Sequence, residues 1–144
     1  MVKFPMKFEV RADATEGVAK SWTAQAGNIS PIPCAIPPEF GGPGIGYSPE
    51  DLFAFAVLNC LIATFKVYCE KSKVNFSRIA GKATLIVDRQ NGSFTMTQID
   101  IELDVQGASD PIKAKSLLEN AIRDCAVSNS IKSGKTFKIS VNSF

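Results

Sequence analysis

Two thiols, Cys60 and Cys125, stand on apolar runs spaced for helices, and sulfurs so placed either pack or react. Cys60 lies midway along SPEDLFAFAVLNCLIATFKVYCE, beside Asn59. Cys125 closes the series Ala114, Leu117, Leu118, Ala121, Ile122, Cys125, whose steps of three and four define one helical face. For a single cysteine on such a face, packing as a small hydrophobe is the commoner role, and Cys34 and Cys69 are read that way. Cys60 and Cys125 are a different case: each is on the buried face of one of the two long helices, and helices of one domain pack together. A reactive thiol must also ionise. At a pKa of about 8.5 only a few per cent is thiolate near neutrality, and apolar burial lowers that fraction. Arg11, Lys20, Lys66 or a residue of a second subunit could supply the missing charge. Glu50 precedes Cys60 by ten positions, roughly 80° around a helix from it, so the two do not stack. A partner role for the helix N-terminus is sufficient reason for Glu50.

The wider composition narrows the chemistry. The chain has no histidine, which removes Ser-His-Asp and Cys-His catalysis, histidine zinc sites and histidine acid–base work. None of the four cysteines forms a CxxC pair, so neither a zinc knuckle nor a thioredoxin-type motif is expected, and no cofactor or metal is indicated. A formal charge of +2 without a basic run gives no argument for nucleic acid or an anionic membrane. The start, MVKFPMKFEV, lacks a signal-peptide core, and the nearly uncharged run Leu52–Phe65 is 14 residues, short of a bilayer span. These features predict a soluble cytoplasmic protein with reduced thiols. At 144 residues, 45% hydrophobic and 21% charged, one globular domain over 1–144 is expected.

The elements that must hold the thiols are legible in outline. KFEVRADA alternates Phe8, Val10 and Ala12 as a half-buried strand would, and VAKSWTAQAG is a second strand candidate. The proline- and glycine-rich NISPIPCAIPPEFGGPGIGY reads as a long loop. Ser48, Pro49, Glu50 and Asp51 then make a helix start, with a cap, a proline at the first position and acids at the positive end. That helix is apolar on nearly every side and about 36 Å long if it ends near Ser72, more than a small domain readily covers. RIAGKATLIVDRQ and SFTMTQIDIELDVQG meet at Asn91-Gly92, a strong hairpin signal. Asp110-Pro111 opens the second helix, AVSNSIKSG holds a short turn capped by Ser128, and TFKISVNSF is a final strand. The order predicts an α+β domain with antiparallel sheets.

With these residues in view, PPEFGGPGIGYSPEDLFAFAVLNCLIATF together with DCAVSNSI resembles the OsmC/Ohr family of osmotically inducible and organic hydroperoxide resistance proteins. The matching positions are Gly41, Gly42, Pro49, Glu50, Leu52, Cys60 and Cys125-Ala126-Val127-Ser128. The resemblance implies an intertwined homodimer with antiparallel sheets wrapped around two long central helices. It implies thiol-dependent reduction of organic hydroperoxides without a cofactor. Cys60 would attack the peroxide, Cys125 would resolve the sulfenic acid as a disulfide, and a dithiol such as a dihydrolipoyl group would reduce it. Glu50 matches the glutamate that holds the family's activating arginine. The turn that carries that arginine in the hydroperoxide-resistance members reads ADATEGVAKSW here and contains none. The alternative is a non-enzymatic OsmC-like protein binding an apolar or acyl ligand at the dimer interface, lined by Phe40, Tyr47, Phe53 and Phe55.

Overall fold

Ser48 and Asp51 start the long helix as their spacing predicts. In a computed structural model, which describes residues 2–144, the Asp51 amide donates to Ser48 Oγ at 3.0 Å and the Ser48 amide donates to Asp51 Oδ2 at 3.0 Å. This reciprocal cap opens helix α1 (Pro49–Ser72). The chain divides into two compact units, one ending at Leu52 and one comprising Phe53–Phe144.

The N-terminal unit holds a three-stranded antiparallel sheet of β1 (Val10–Asp13), β2 (Trp22–Ala26) and β3 (Ile32–Cys34), in that order. Two expectations change here. The alternation Phe8, Val10, Ala12 does not mark a half-buried face: β1 begins only at Val10, and Phe8 and Val10 are exposed. The proline-rich loop is also not structureless. It contributes β3 and a one-turn 3₁₀ helix at Pro38–Phe40, because the prolines at 31 and 33 preset an extended backbone that β2 pairs with. Beyond it, Gly42 is packed so closely that a Cβ there would lie 1.9 Å from the Ile36 carbonyl oxygen.

The C-terminal unit is a second sheet with two helices packed on it. Strands β4 (Arg78–Gln90) and β5 (Ser93–Gln106) form the hairpin around Asn91-Gly92, both with positive φ, as a two-residue turn of this kind requires. Helix α2 (Pro111–Asp124) is capped by Asp110, whose Oδ1 accepts from the Lys113 amide at 3.0 Å. The last strand, β6 (Gly134–Val141), pairs with β5 in parallel, which corrects the expectation of antiparallel sheets only. The reason is topological: α2 carries the chain back to the start of β5, so β6 must run the same way. The architecture is α+β with two helices, one antiparallel sheet and one mixed sheet.

One apolar cluster joins the three layers of this unit. Val57, Leu61, Phe65 and Cys69 of α1, at steps of four, meet Ile99, Ile101, Leu103 and Val105 of β5 and Ala114, Leu118, Ala121 and Cys125 of α2. All of these are at most 2% exposed. At about 25 cal/mol per Å² of apolar surface, such burial is the main stabilising contribution of the unit. Only one stripe of α1 is used in this way. The flank with Phe55, Ala56, Asn59, Ala63 and Val67 is exposed. Continuing past Phe65 to Ser72, α1 reaches 24 residues and is long and apolar enough to cross a membrane by length and composition, unlike the 14-residue run alone.

Candidate active site

Cys60 occupies the middle of α1 and is half-buried, and Cys125 is the residue that ends α2 and is fully buried. Helical φ and ψ stop at Cys125, whose extended backbone (φ −62°, ψ 112°) turns the chain toward α1. The two side chains hydrogen-bond to each other, so folding brings together sulfurs 65 positions apart in sequence. Both thiols are free.

Their acidities are driven in opposite directions. Burial pushes the Cys60 thiol up, but this is outweighed by hydrogen bonds from the Val127 main chain, the Cys125 side chain, Thr64 and the Ala126 main chain, and the net pKa lies below the ordinary thiol value. The Thr64 hydroxyl has one proton and donates it to the Cys60 carbonyl at 2.8 Å, so the two main-chain N–H groups and the Cys125 S–H do most of this lowering. Cys125 is pushed up to about 11, by burial first and then by its bond to Cys60. The Ser128 amide donates to Cys125 Sγ at 3.4 Å. Three successive peptide groups, 126 to 128, thus serve the two sulfurs. The pair is ordered by acidity, with the more acidic sulfur on the accessible side and the less acidic one buried.

The turn that carries these amides is braced. Asn129 donates through its amide to the Cys125 carbonyl (2.9 Å) and through Nδ2 to the Arg123 carbonyl (2.9 Å), and Ser130 Oγ donates to the Ala126 carbonyl (2.7 Å). A short 3₁₀ turn forms at Ser128–Ser130 as expected, but its cap position is Val127 and the Ser128 side chain does not cap it.

Glu50, the third predicted site residue, lies in the N-terminal unit near the start of α1. It is half-buried, and its Oε2 is buried with no hydrogen-bond partner among the described residues. The candidate cations Arg11, Lys20 and Lys66 are exposed, and Arg11 is 3.7 Å from Glu9. Every group that lowers the Cys60 pKa is a neutral donor. The donors at Ala126 and Val127 escaped the sequence reading because peptide N–H groups carry no residue signature. Thr64, one turn after Cys60, could have been found from the i, i+4 step. Of the aromatics in the ligand-binding alternative, Phe53 packs against the core, while Phe40, Tyr47 and Phe55 are 40–45% exposed.

Residues 41–140 match the sequence profile of the family described as OsmC-like protein. The chain belongs to that family. It is 27% identical over 115 residues to the uncharacterized protein YmaD of Bacillus subtilis, covering 76% of each chain. Its fold is similar to that of an OsmC-like protein of unknown function from Vibrio cholerae (TM-score 0.82, 16% identity, 94% of this chain and 99% of that one). It is also similar to an organic hydroperoxide resistance protein OsmC from Legionella pneumophila (0.73, 19%, 96% and 98%) and to the organic hydroperoxide resistance protein OhrB of Bacillus subtilis (0.67, 18%, 94% and 98%). At these identities the structural likeness establishes the OsmC-like fold, and the activity rests on the site.

Proposed function

We propose that this OsmC-like chain is a thiol-dependent peroxidase for organic hydroperoxides. The observation that carries the reading is the contact between a half-buried, acidified Cys60 and a buried, protonated Cys125. Cys60 thiolate attacks the terminal peroxide oxygen. The O–O bond breaks, and Cys60–SOH and an alkoxide form, the latter taking a proton to leave as the alcohol. Cys125–SH then displaces the hydroxyl, giving the Cys60–Cys125 disulfide and water. An external dithiol returns both thiols and is itself oxidised to a disulfide. Relatives named for organic hydroperoxide resistance support this substrate class.

The working form in this reading is a cytoplasmic homodimer. The uncovered flank of α1 carries Asn59, Lys66 and Glu70 among its apolar residues, which suits protein cover better than lipid. The unpartnered Glu50 Oε2 is also consistent with a donor or cation brought by a second copy. The test is turnover of cumene hydroperoxide with dihydrolipoamide, alongside a non-reducing digest after substoichiometric peroxide. A Cys60–Cys125 crosslinked peptide and loss of turnover in Cys60→Ser are expected. Equal rates for wild type and Cys60→Ser would refute the peroxidase.

A further inference from the structure

The turn that presents Cys125 and the amides of Ala126 and Val127 is internally braced, but its placement against Cys60 depends on how the end of α2 meets α1. Apolar packing between the helices is non-directional and does not by itself fix that register. A polar tie does. Tyr68 Oη, on α1, donates to Asp124 Oδ2 at 2.6 Å, and Asp124 immediately precedes Cys125. The carboxylate is itself oriented: Arg123 Nε donates to Oδ1 at 2.9 Å and Nη2 to Oδ2 at 3.0 Å, while Nη1 donates to Asn120 Oδ1 at 3.2 Å. The Tyr68 ring is pinned by the core, which places its hydroxyl before the bond forms. Tyr68 and Cys60 share one helix, eight residues apart, so a bond at Tyr68 refers the Cys125 turn to the same rigid rod that bears Cys60. Among the described residues a further polar tie from α2 to α1, Lys113 Nζ to the Ser72 carbonyl at 3.3 Å, lies at the far end of α2, so near Cys125 Tyr68–Asp124 is the tie that does not itself involve the sulfurs.

We propose that Tyr68 is a positioning residue of the thiol site: by holding Asp124 it sets where Cys125 and its turn stand against Cys60. The proposal rests on the peroxidase reading only in giving Cys125 a resolving role; the placement itself is a property of the resting thiols. Two consequences follow from losing the tie. The donors that favour Cys60 thiolate move off the sulfur, and the step Cys60–SOH plus Cys125–SH to disulfide plus water slows, because its two sulfurs meet less often. The hydrogen bonds from Arg123 and then Tyr68 hold the Asp124 carboxyl below the usual carboxylate range, so it stays an ionised acceptor.

The experiment compares wild type, Tyr68→Phe, Asp124→Ala and the double variant by the pH dependence of iodoacetamide alkylation, read at the Cys60 peptide by mass spectrometry. Tyr68→Phe keeps the ring in the core, so its melting temperature should stay within about 2 °C of wild type. The Cys60 titration midpoint should rise in Tyr68→Phe, and its alkylation at pH 7 should fall roughly threefold, as expected for weakening one set of neutral donors. Asp124→Ala, which also loses the Arg123 bonds, should raise the midpoint at least as far, and the double variant should be no worse than Asp124→Ala, since the Tyr68 bond is already gone there. After substoichiometric peroxide, dimedone-trapped Cys60 should increase at the expense of the Cys60–Cys125 crosslink. A Cys60 midpoint unmoved by Tyr68→Phe, or additive effects in the double variant, would overturn the proposal. A midpoint that moves in a protein that consumes no peroxide would support the positioning role while removing the peroxidase.

Discussion

Two thiols on one helix, nine residues apart, differ in acidity for reasons the structure makes explicit. Cys60 is half-buried and its pKa is lowered; Cys69 is 1% exposed and burial alone pushes its pKa up. Both stand on α1 among apolar neighbours. What separates them is the chain opposite. Cys60 faces the connection from α2 to the 3₁₀ turn, where the peptide N–H groups of Ala126 and Val127 precede that turn and are free to donate, whereas among the described residues burial alone acts on Cys69. Depth of burial alone does not set a thiol's acidity; a hydrogen-bond donor beside it changes the sign of the shift.

The largest effect that could break this contrast is a double dissociation. Cys60→Ser should lower hydroperoxide consumption at least about a hundredfold while leaving the unfolding midpoint almost unchanged, since the site is half-exposed. Cys69→Ser should do the reverse: activity retained, with stability reduced by about 1–3 kcal/mol in urea denaturation, because a polar hydroxyl would replace an apolar thiol in a fully buried layer. If Cys69→Ser abolished turnover with the fold intact, the contrast would be wrong. Next in size, iodoacetamide at pH 7 should label Cys60 roughly tenfold or more faster than Cys69 in the folded protein, with the difference vanishing in denaturant.

Two smaller effects sharpen the same contrast. Cys125→Ala removes one donor from Cys60 and the resolving thiol together. Cys60 alkylation at pH 7 should slow about two- to fivefold, and dimedone should trap a persistent sulfenic acid after peroxide. The smallest expected change is in alkaline stability. Cys125 retains its proton in the folded chain up to about 11, above the ordinary thiol value of 9.0. Between those values the unfolded chain binds fewer protons than the folded one, so stability falls as pH rises, by on the order of 1–2 kcal/mol. Cys69 acts in the same direction; Cys60, with its lowered pKa, acts oppositely and at lower pH. Thermal melts from pH 8 to 11 should show the decline, and Cys125→Ala should flatten it.

Much of this was legible in the residues. The Ser48–Asp51 cap, the Asp110-Pro111 start, the Asn91-Gly92 hairpin and the alternation from Ile99 to Val105 are local signals, and local hydrogen bonding and burial realise them. Cys125 closes the buried face of α2 because the three-and-four stepping ends there. What local pattern could not supply was long-range pairing. The parallel register of β6 against β5 follows from the crossover through α2, and the short β3 depends on β2 being beside it. The apolar alternation near Phe8 and Val10 resembles a buried strand face although those side chains are exposed. The Tyr68–Asp124 bond spans 56 positions between two ordinary polar residues, and nothing in either neighbourhood announces the other.

The use of peptide groups at 126 and 127 has a consequence for how this site tolerates change. Ala126 is exposed and Val127 half-buried, so many substitutions there would keep the N–H and hence the acidity of Cys60. Proline is the exception, since it deletes the donor. Loop length is constrained more tightly than residue identity: one residue inserted between Cys125 and Ser128 would swing the amides away from both sulfurs without altering the type of any residue present.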